Sequence, residues 1–171
     1  MTALTIRAPF ESDAAAIATI DAQGLATGHA SFRETPHDWE SFVASFMVGR
    51  GLALVAQNGD DIAGWCGVAP TSVRAVYQGV GEISVYVAPA RQRQGIARHL
   101  MAKMIVASER AGYWTLVAQI FPENRASLLL HKGLGFQVVG TRRKLGQMGY
   151  GLLAGRWRDV TMLERRSPLI G

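Results

Sequence analysis

Hydrophobic and polar positions change period several times along this chain. Short apolar runs at 4–8, 52–57 and 62–69, and an alternating run at 80–88, predict strands, because successive strand side chains point to opposite faces. The second and third runs flank Asn58-Gly59-Asp60-Asp61, a hairpin signal. Helical spacing takes over elsewhere. Ser12 and Asp13 stand as a cap before a helix at 14–24. Trp39, Phe42, Val43, Phe46 and Met47 recur along a second helix that begins near Pro36, and these aromatics read as core. Ile96, Leu100, Met101, Met104 and Ala107 form the stripe of a third helix at 95–110. Strands follow at 114–121, 136–143 and 157–165, with a helix from Pro122-Glu123-Asn124 to about Leu134 that Gly135 stops. Residues 26–36 and 70–78 read as loops, the glycine-rich 146–155 as a mobile hairpin or loop, and the last residues as frayed. No repeat or linker interrupts this order, so residues 1–171 read as one α+β domain of three layers.

Composition narrows the function classes. A chain of 171 residues, 49% of them hydrophobic, can bury a sizeable core without staples. Cys66 is the only cysteine, which excludes an intrachain disulfide and suits a reducing cytosol. The first residues lack a signal peptide's charged head and long apolar run, and no eighteen-residue apolar window occurs. A cytoplasmic protein without membrane partners is therefore expected. The net charge of +5 comes from dispersed residues and from clusters at 91–98 and 142–144, with Arg156, Arg158, Arg165 and Arg166 near the end. No zinc-finger spacing and no stacking-aromatic RNA motif accompanies them, so neither a metal nor a nucleic-acid partner is expected.

The chemistry concentrates at 85–98. An apolar strand ends at Pro89, a basic turn follows, and Gly95 opens an amphipathic helix. Such a turn aims free backbone N–H groups and the positive end of a helix dipole at one small volume, which suits a pyrophosphate. Arg91, Arg93 and Arg98 add full charges. The spacing is neither that of a Walker loop nor that of a dinucleotide fingerprint. Gln92-Arg93-Gln94-Gly95-Ile96-Ala97 instead fits the Gln/Arg-x-x-Gly-x-Gly/Ala pattern of the GNAT acyl-CoA N-acyltransferases, which the chain resembles over almost its whole length.

That resemblance implies the GNAT fold: a mixed, mostly antiparallel central sheet with a splayed parallel strand pair, flanked by helices, and acetyl-CoA lying in the split. Gly81-Glu82-Ile83-Ser84-Val85-Tyr86-Val87, Phe121-Pro122-Glu123-Asn124-Arg125-Ala126-Ser127, His131-Lys132-Gly133-Leu134-Gly135-Phe136 and Gly155-Arg156-Trp157-Arg158-Asp159-Val160 narrow it further. Together they resemble the phosphinothricin and methionine sulfoximine N-acetyltransferases and their arsinothricin relatives, which acetylate the α-amino group of glutamate-like amino acids and are commonly homodimers.

Acetyl transfer to an amine needs a deprotonated amine, a polarised thioester carbonyl and an acid for the departing thiolate. Glu82, Ser84 and Tyr86 share one face of their strand. Glu82 sits where the family places its general base, against the alternative of a solvated surface carboxylate. By resemblance, the run Val85, Tyr86 and Val87 binds the cofactor, the backbones of Val85 and Val87 pairing with pantetheine amides and the Val87 N–H also polarising the thioester. Gln92, Arg93, Gln94, Gly95, Ile96, Ala97 and Arg98 hold the pyrophosphate. Asn124 caps a helix and, in relatives, contacts the cofactor, with Ser127 beside it. His131 lies four residues beyond Ser127 on the same helical face, as the thiolate's acid or as a buried structural histidine. Arg74 is the best candidate for holding an acceptor oxyanion, because a guanidinium can bind one bidentately. Phe32, Glu34 and Tyr77 complete the expected substrate set.

Cys66 has no Cys/His signature around it, so transfer is expected to be direct, in a ternary complex, without an acetyl-cysteine. The inserted Gly149-Tyr150-Gly151-Leu152-Leu153 departs from the family pattern beside the acceptor site. Two alternatives remain open at this level. One is transfer to a polyamine, an aminoglycoside or a protein N-terminus; the other is a CoA-binding sensor without turnover.

Overall fold

Gly59 and Asp60 turn the chain between β2 (Leu52–Asn58) and β3 (Asp61–Pro70), and the rest of the sheet grows from that hairpin in the computed structural model, which describes residues 4–170. β1 (Leu4–Arg7) pairs antiparallel with β2, and β4 (Val80–Val87) with β3. β5 (Thr115–Ile120), β6 (Gln137–Gln147) and β7 (Trp157–Arg166) complete one seven-stranded sheet in the order β1-β2-β3-β4-β5-β7-β6. Only β4 and β5 run parallel, and their pairing ends at Glu82 and Val117.

Strand alternation divides the core in two. Val55, Trp65 and Tyr86 face α1 (Ala14–Ala26) and α2 (Trp39–Phe46), where Ile17, Ile20, Phe42 and Phe46 are buried against them. Cys66, Val68 and Ile83 face α3 (Ile96–Arg110), whose Leu100, Met101 and Met104 are fully buried. α4 (Arg125–Lys132) joins that layer through Leu128 and Leu130. Each such large apolar side chain contributes roughly 1.5–3 kcal/mol on burial. Gly67 lets the aromatic cluster close: a Cβ there would lie 2.5 Å from the Phe46 ring.

Helix and strand positions follow the sequence pattern, with instructive differences. Asp13 does not cap α1 with its side chain. It accepts the Phe10 amide at 2.8 Å and a two-point pair from Arg7 at 2.7 and 2.9 Å, locking the turn before the helix. β6 does not end at Arg143. A bulge shifts its register between Arg142 and Gly146, with Lys144 at φ 47° and its amide donated to Asp159 Oδ1, and the strand then resumes to Gln147. A bulge adds a residue without ending the ladder.

The 148–155 connection is also not the loose loop its glycines suggest. Met148 is buried, its amide and carbonyl bond Arg156 and Gly155, and the Tyr150 hydroxyl donates to Ser31 O at 2.8 Å. Past β7, Ser167 stays docked, its amide on Trp114 O at 2.8 Å, so fraying does not begin there; Gly171 lies outside the described residues. Among the described residues no helix is long and apolar enough to cross a membrane.

Candidate active site

The end of β4–β5 pairing at Glu82 creates a fork in the sheet. In an antiparallel ladder, residues alternate in the direction of their backbone groups. The Val80 carbonyl accepts from Thr71, and the Ala88 amide donates to Ala63, so even-numbered residues of β4 turn toward β3. Gly79, of the opposite parity, accepts from Trp114 and Thr115 on the other side. The backbones of Val85 and Val87 therefore face the open gap, with main-chain donors and acceptors spaced as in a strand edge. Tyr86 turns its backbone the other way and its ring onto Trp65, stacked at 4.8 Å.

A cradle lies at the C-terminal end of β4. Pro89–Arg91 form one 3-10 turn, Arg93 adopts φ 61° and Gly95 φ 78°, and α3 begins at Ile96. Among the described residues no backbone carbonyl accepts from the amides of Arg93, Gln94, Gly95, Ile96, Ala97 or Arg98. Left-handed residues at a helix N-terminus make an anion-binding concavity, and this one carries the α3 dipole behind it. Gln92 departs from expectation: its amide donates back to Pro89 O at 3.3 Å, so the cradle starts one residue later. Gln94 spends its side-chain amide on Ala90 O, and Arg91 pairs with Asp61 at 3.2 Å. Ile96 buries its side chain in the core and offers the cradle backbone only.

On the α1–α2 face a cavity of about 250 Å³ is lined by Ser31, Arg33, His37, Trp65, Glu82 and Tyr86, among others. Glu82 is half-buried, and Gln119 of β5 donates its side-chain amide to Glu82 Oε2 at 3.0 Å. Arg33 forks onto the fully buried Asp21 at 2.6 and 2.8 Å. His37 adds its backbone amide at 2.7 Å and its Nδ1 at 3.0 Å to the same carboxylate. Burial works against the Asp21 charge, but these donors outweigh it and hold the carboxyl down to about 2. Burial pushes the Tyr86 hydroxyl up to about 12, so it stays neutral. Trp65 lines this cavity, and among the described residues nothing accepts from its buried Nε1–H.

At α4, Asn124 Oδ1 caps the Ser127 amide at 3.2 Å while Nδ2 donates to His29 O, so this side chain ties the helix to the 26–36 loop. Ser127 Oγ lies 3.4 Å from His131 Nδ1. His131 departs from the proton-donor expectation. Its Nδ1 donates to Ser127 O at 2.8 Å, which leaves a lone pair on a buried, unpartnered Nε2. Burial also lowers the His131 pKa, disfavouring the imidazolium that an acid at Nε2 would require. The buried structural reading fits this geometry.

The expected substrate residues do not line the cavity. Phe32 packs edge-on against Phe121 at 4.9 Å, and Glu34 is exposed beside Gly149. Arg74 and Tyr77 are exposed on the 71–79 loop, with the guanidinium 5.4 Å over the ring. What the sequence reading missed is the Arg33–Asp21–His37 cluster, Trp65, Gln119, and Arg158. Arg158 is 4% exposed, sits 4.0 Å over Phe121, and donates to Gly28 O, His29 Nδ1 and Glu123. An aspartate inside the apolar α1 was the one legible hint of a buried pair. Cys66 is buried on the α3 face, and burial pushes its thiol up, away from a nucleophilic thiolate.

A split sheet, an amide-lined helix N-terminus beyond it and a carboxylate at the fork define an acyl-CoA-type N-acetyltransferase, and the chain belongs to the Acetyltransferase (GNAT) family, which matches residues 15–136. It is 32% identical over 167 residues to a phosphinothricin N-acetyltransferase of Alcaligenes faecalis, covering 95% of this chain and 82% of that protein. It is 29% identical over 164 residues to the L-methionine sulfoximine/L-methionine sulfone acetyltransferase of Salmonella typhimurium, covering 94% and 93%. A GNAT superfamily phosphinothricin acetyltransferase from Sinorhizobium meliloti, solved in complex with AcCoA, superposes with a TM-score of 0.84 at 25% identity, covering 97% and 89%.

Proposed function

We propose that this chain transfers the acetyl group of acetyl-CoA directly to the α-amino group of a glutamate-analogue amino acid of the phosphinothricin, methionine sulfoximine or arsinothricin type. The observation that carries this reading is the position of Glu82. It is the last β4 residue paired with β5, and it borders both the gap between those strands and the cavity on the α1–α2 face.

Bound acetyl-CoA supplies an activated thioester. The amides from Arg93 to Arg98 hold its pyrophosphate, with the α3 dipole and the Arg93 and Arg98 charges in support. Val85 and Val87 extend the sheet onto the pantetheine through their backbones, and the Val87 N–H polarises the thioester carbonyl. Glu82, steadied by Gln119, accepts the proton of the acceptor ammonium directly or through one water. The freed amine bonds to the carbonyl carbon as the C–S bond breaks, and the proton that the nitrogen then sheds passes through water to the departing thiolate. His131 holds α4 through Ser127 and moves no proton.

Two relatives that act on phosphinothricin and on methionine sulfoximine or sulfone, each matching more than nine-tenths of this chain, support the acceptor class. The test is thiol release from acetyl-CoA with phosphinothricin, methionine sulfoximine, arsinothricin, spermidine and kanamycin as acceptors. Turnover with the amino acids is expected; turnover with the cationic amines alone would overturn the assignment.

A further inference from the structure

Trp65 is fully buried, lines the same cavity as Glu82, and among the described residues has no acceptor for its indole N–H. An unpaired buried donor costs on the order of 1–3 kcal/mol, so a fold that keeps one at a cavity wall has a use for it. Its neighbours give that wall a donor character. Arg33 spends Nη1 and Nη2 on Asp21 and Thr35 O, and its guanidinium also meets the Tyr86 hydroxyl at the cavity wall. Ser45 and Ser84 add hydroxyls. Glu82 is the one carboxylate in the lining.

The spacing fits one ligand shape. Trp65 pairs across the strands with Tyr86 and Ala69 with Glu82, so the backbones of Trp65 and Glu82 stand four strand residues apart on one face of the sheet. That is about 13 Å along the sheet. An extended amino acid of glutamate length with a hydrogen bond at each end spans roughly 11–12 Å.

We propose that Trp65 Nε1–H, with Arg33 beside it, binds the terminal oxygens of the acceptor's tetrahedral sulfur or phosphorus group while Glu82 takes its ammonium. This rests on the acceptor class assigned above and replaces Arg74 as the specificity determinant. A site built to hydrogen-bond an oxygen discriminates strongly against the analogue that lacks it.

L-methionine sulfone and L-methionine differ only in those oxygens. The ratio of their kcat/KM values is measured for wild type and for Trp65→Phe, which keeps the ring volume near the original and deletes the donor. The wild-type preference for the sulfone is expected to fall at least tenfold; an unchanged ratio overturns the proposal. In ¹⁵N-labelled wild-type protein with CoA, the Trp65 indole resonance is expected to shift with the sulfone and not with methionine. No movement with either overturns the proposal, whether or not the variant folds. If wild type acetylates neither amino acid, the acceptor assignment fails, and the indole titration still decides the subsite.

Discussion

Gln119 donates its side-chain amide to Glu82 Oε2 at 3.0 Å, across the point where β4 and β5 part. The bond fixes one carboxylate oxygen, and among the described residues nothing donates to the other. Gln119→Ala is expected to lower kcat about threefold to tenfold with the acetyl-CoA KM unchanged, and steady-state kinetics in both substrates check it.

Glu82→Gln keeps the shape and removes the proton acceptor. General-base contributions are typically 10²–10⁴-fold, so kcat is expected to fall by at least about 100-fold while acetyl-CoA affinity by calorimetry stays within about threefold. A near-wild-type rate would take Glu82 out of the chemistry.

Gly95 holds φ 78° at the mouth of α3. A β-branched residue is strained there by roughly 1–2 kcal/mol and tilts the cradle amides. Gly95→Val is expected to weaken CoA binding about tenfold or more, read as Kd by calorimetry, with the loss falling mainly on binding rather than on Tm.

Asp21 gives the fold an acid-sensitive point. Its carboxyl ionises at about 2 in the folded protein against 3.8 in its ordinary state, so the unfolded chain takes up the proton first. The stabilisation is complete above the unfolded value and is lost as pH falls from about 5 toward 2, amounting to about 2 kcal/mol. Asp21→Asn, which takes the carboxylate partner from the half-buried Arg33, is expected to cost roughly 3–5 kcal/mol by denaturant melts and to flatten that acid limb.

His131→Gln tests the tautomer argument. With no proton passing through the ring, kcat is expected to stay within about tenfold of wild type once the variant's fold is verified by circular dichroism. A drop beyond 100-fold, with the fold intact, would return His131 to the chemistry.

The strand, basic turn and helix around Gly95 were readable because they are local: a proline, a glycine and an alternating run within fourteen residues. The Asn58-Gly59 hairpin and the carboxylate in β4 were readable for the same reason. The cavity on the α1–α2 face was not, because its wall is assembled from segments far apart in sequence. Ser31, Arg33 and His37 meet Trp65, Glu82 and Tyr86 there, and the segment that carries the first three is held from a distance, Tyr150 on Ser31 across 119 residues and Arg158 on Gly28 across 130. Nor could glycine content reveal that 148–155 is pinned, since Tyr150 and Met148 anchor a stretch whose composition alone reads as slack. Arg74 stands out by residue type; that it is exposed while Arg33 and Trp65 line the cavity is a matter of burial, invisible in a sequence.

The cavity on the helix face and the gap within the sheet reach Glu82 from different directions. On the proposed assignment, the acceptor and acetyl-CoA therefore take separate places that meet at Glu82. Initial-rate plots should accordingly intersect rather than run parallel, and CoA should be able to depart while the acetylated amino acid is still seated.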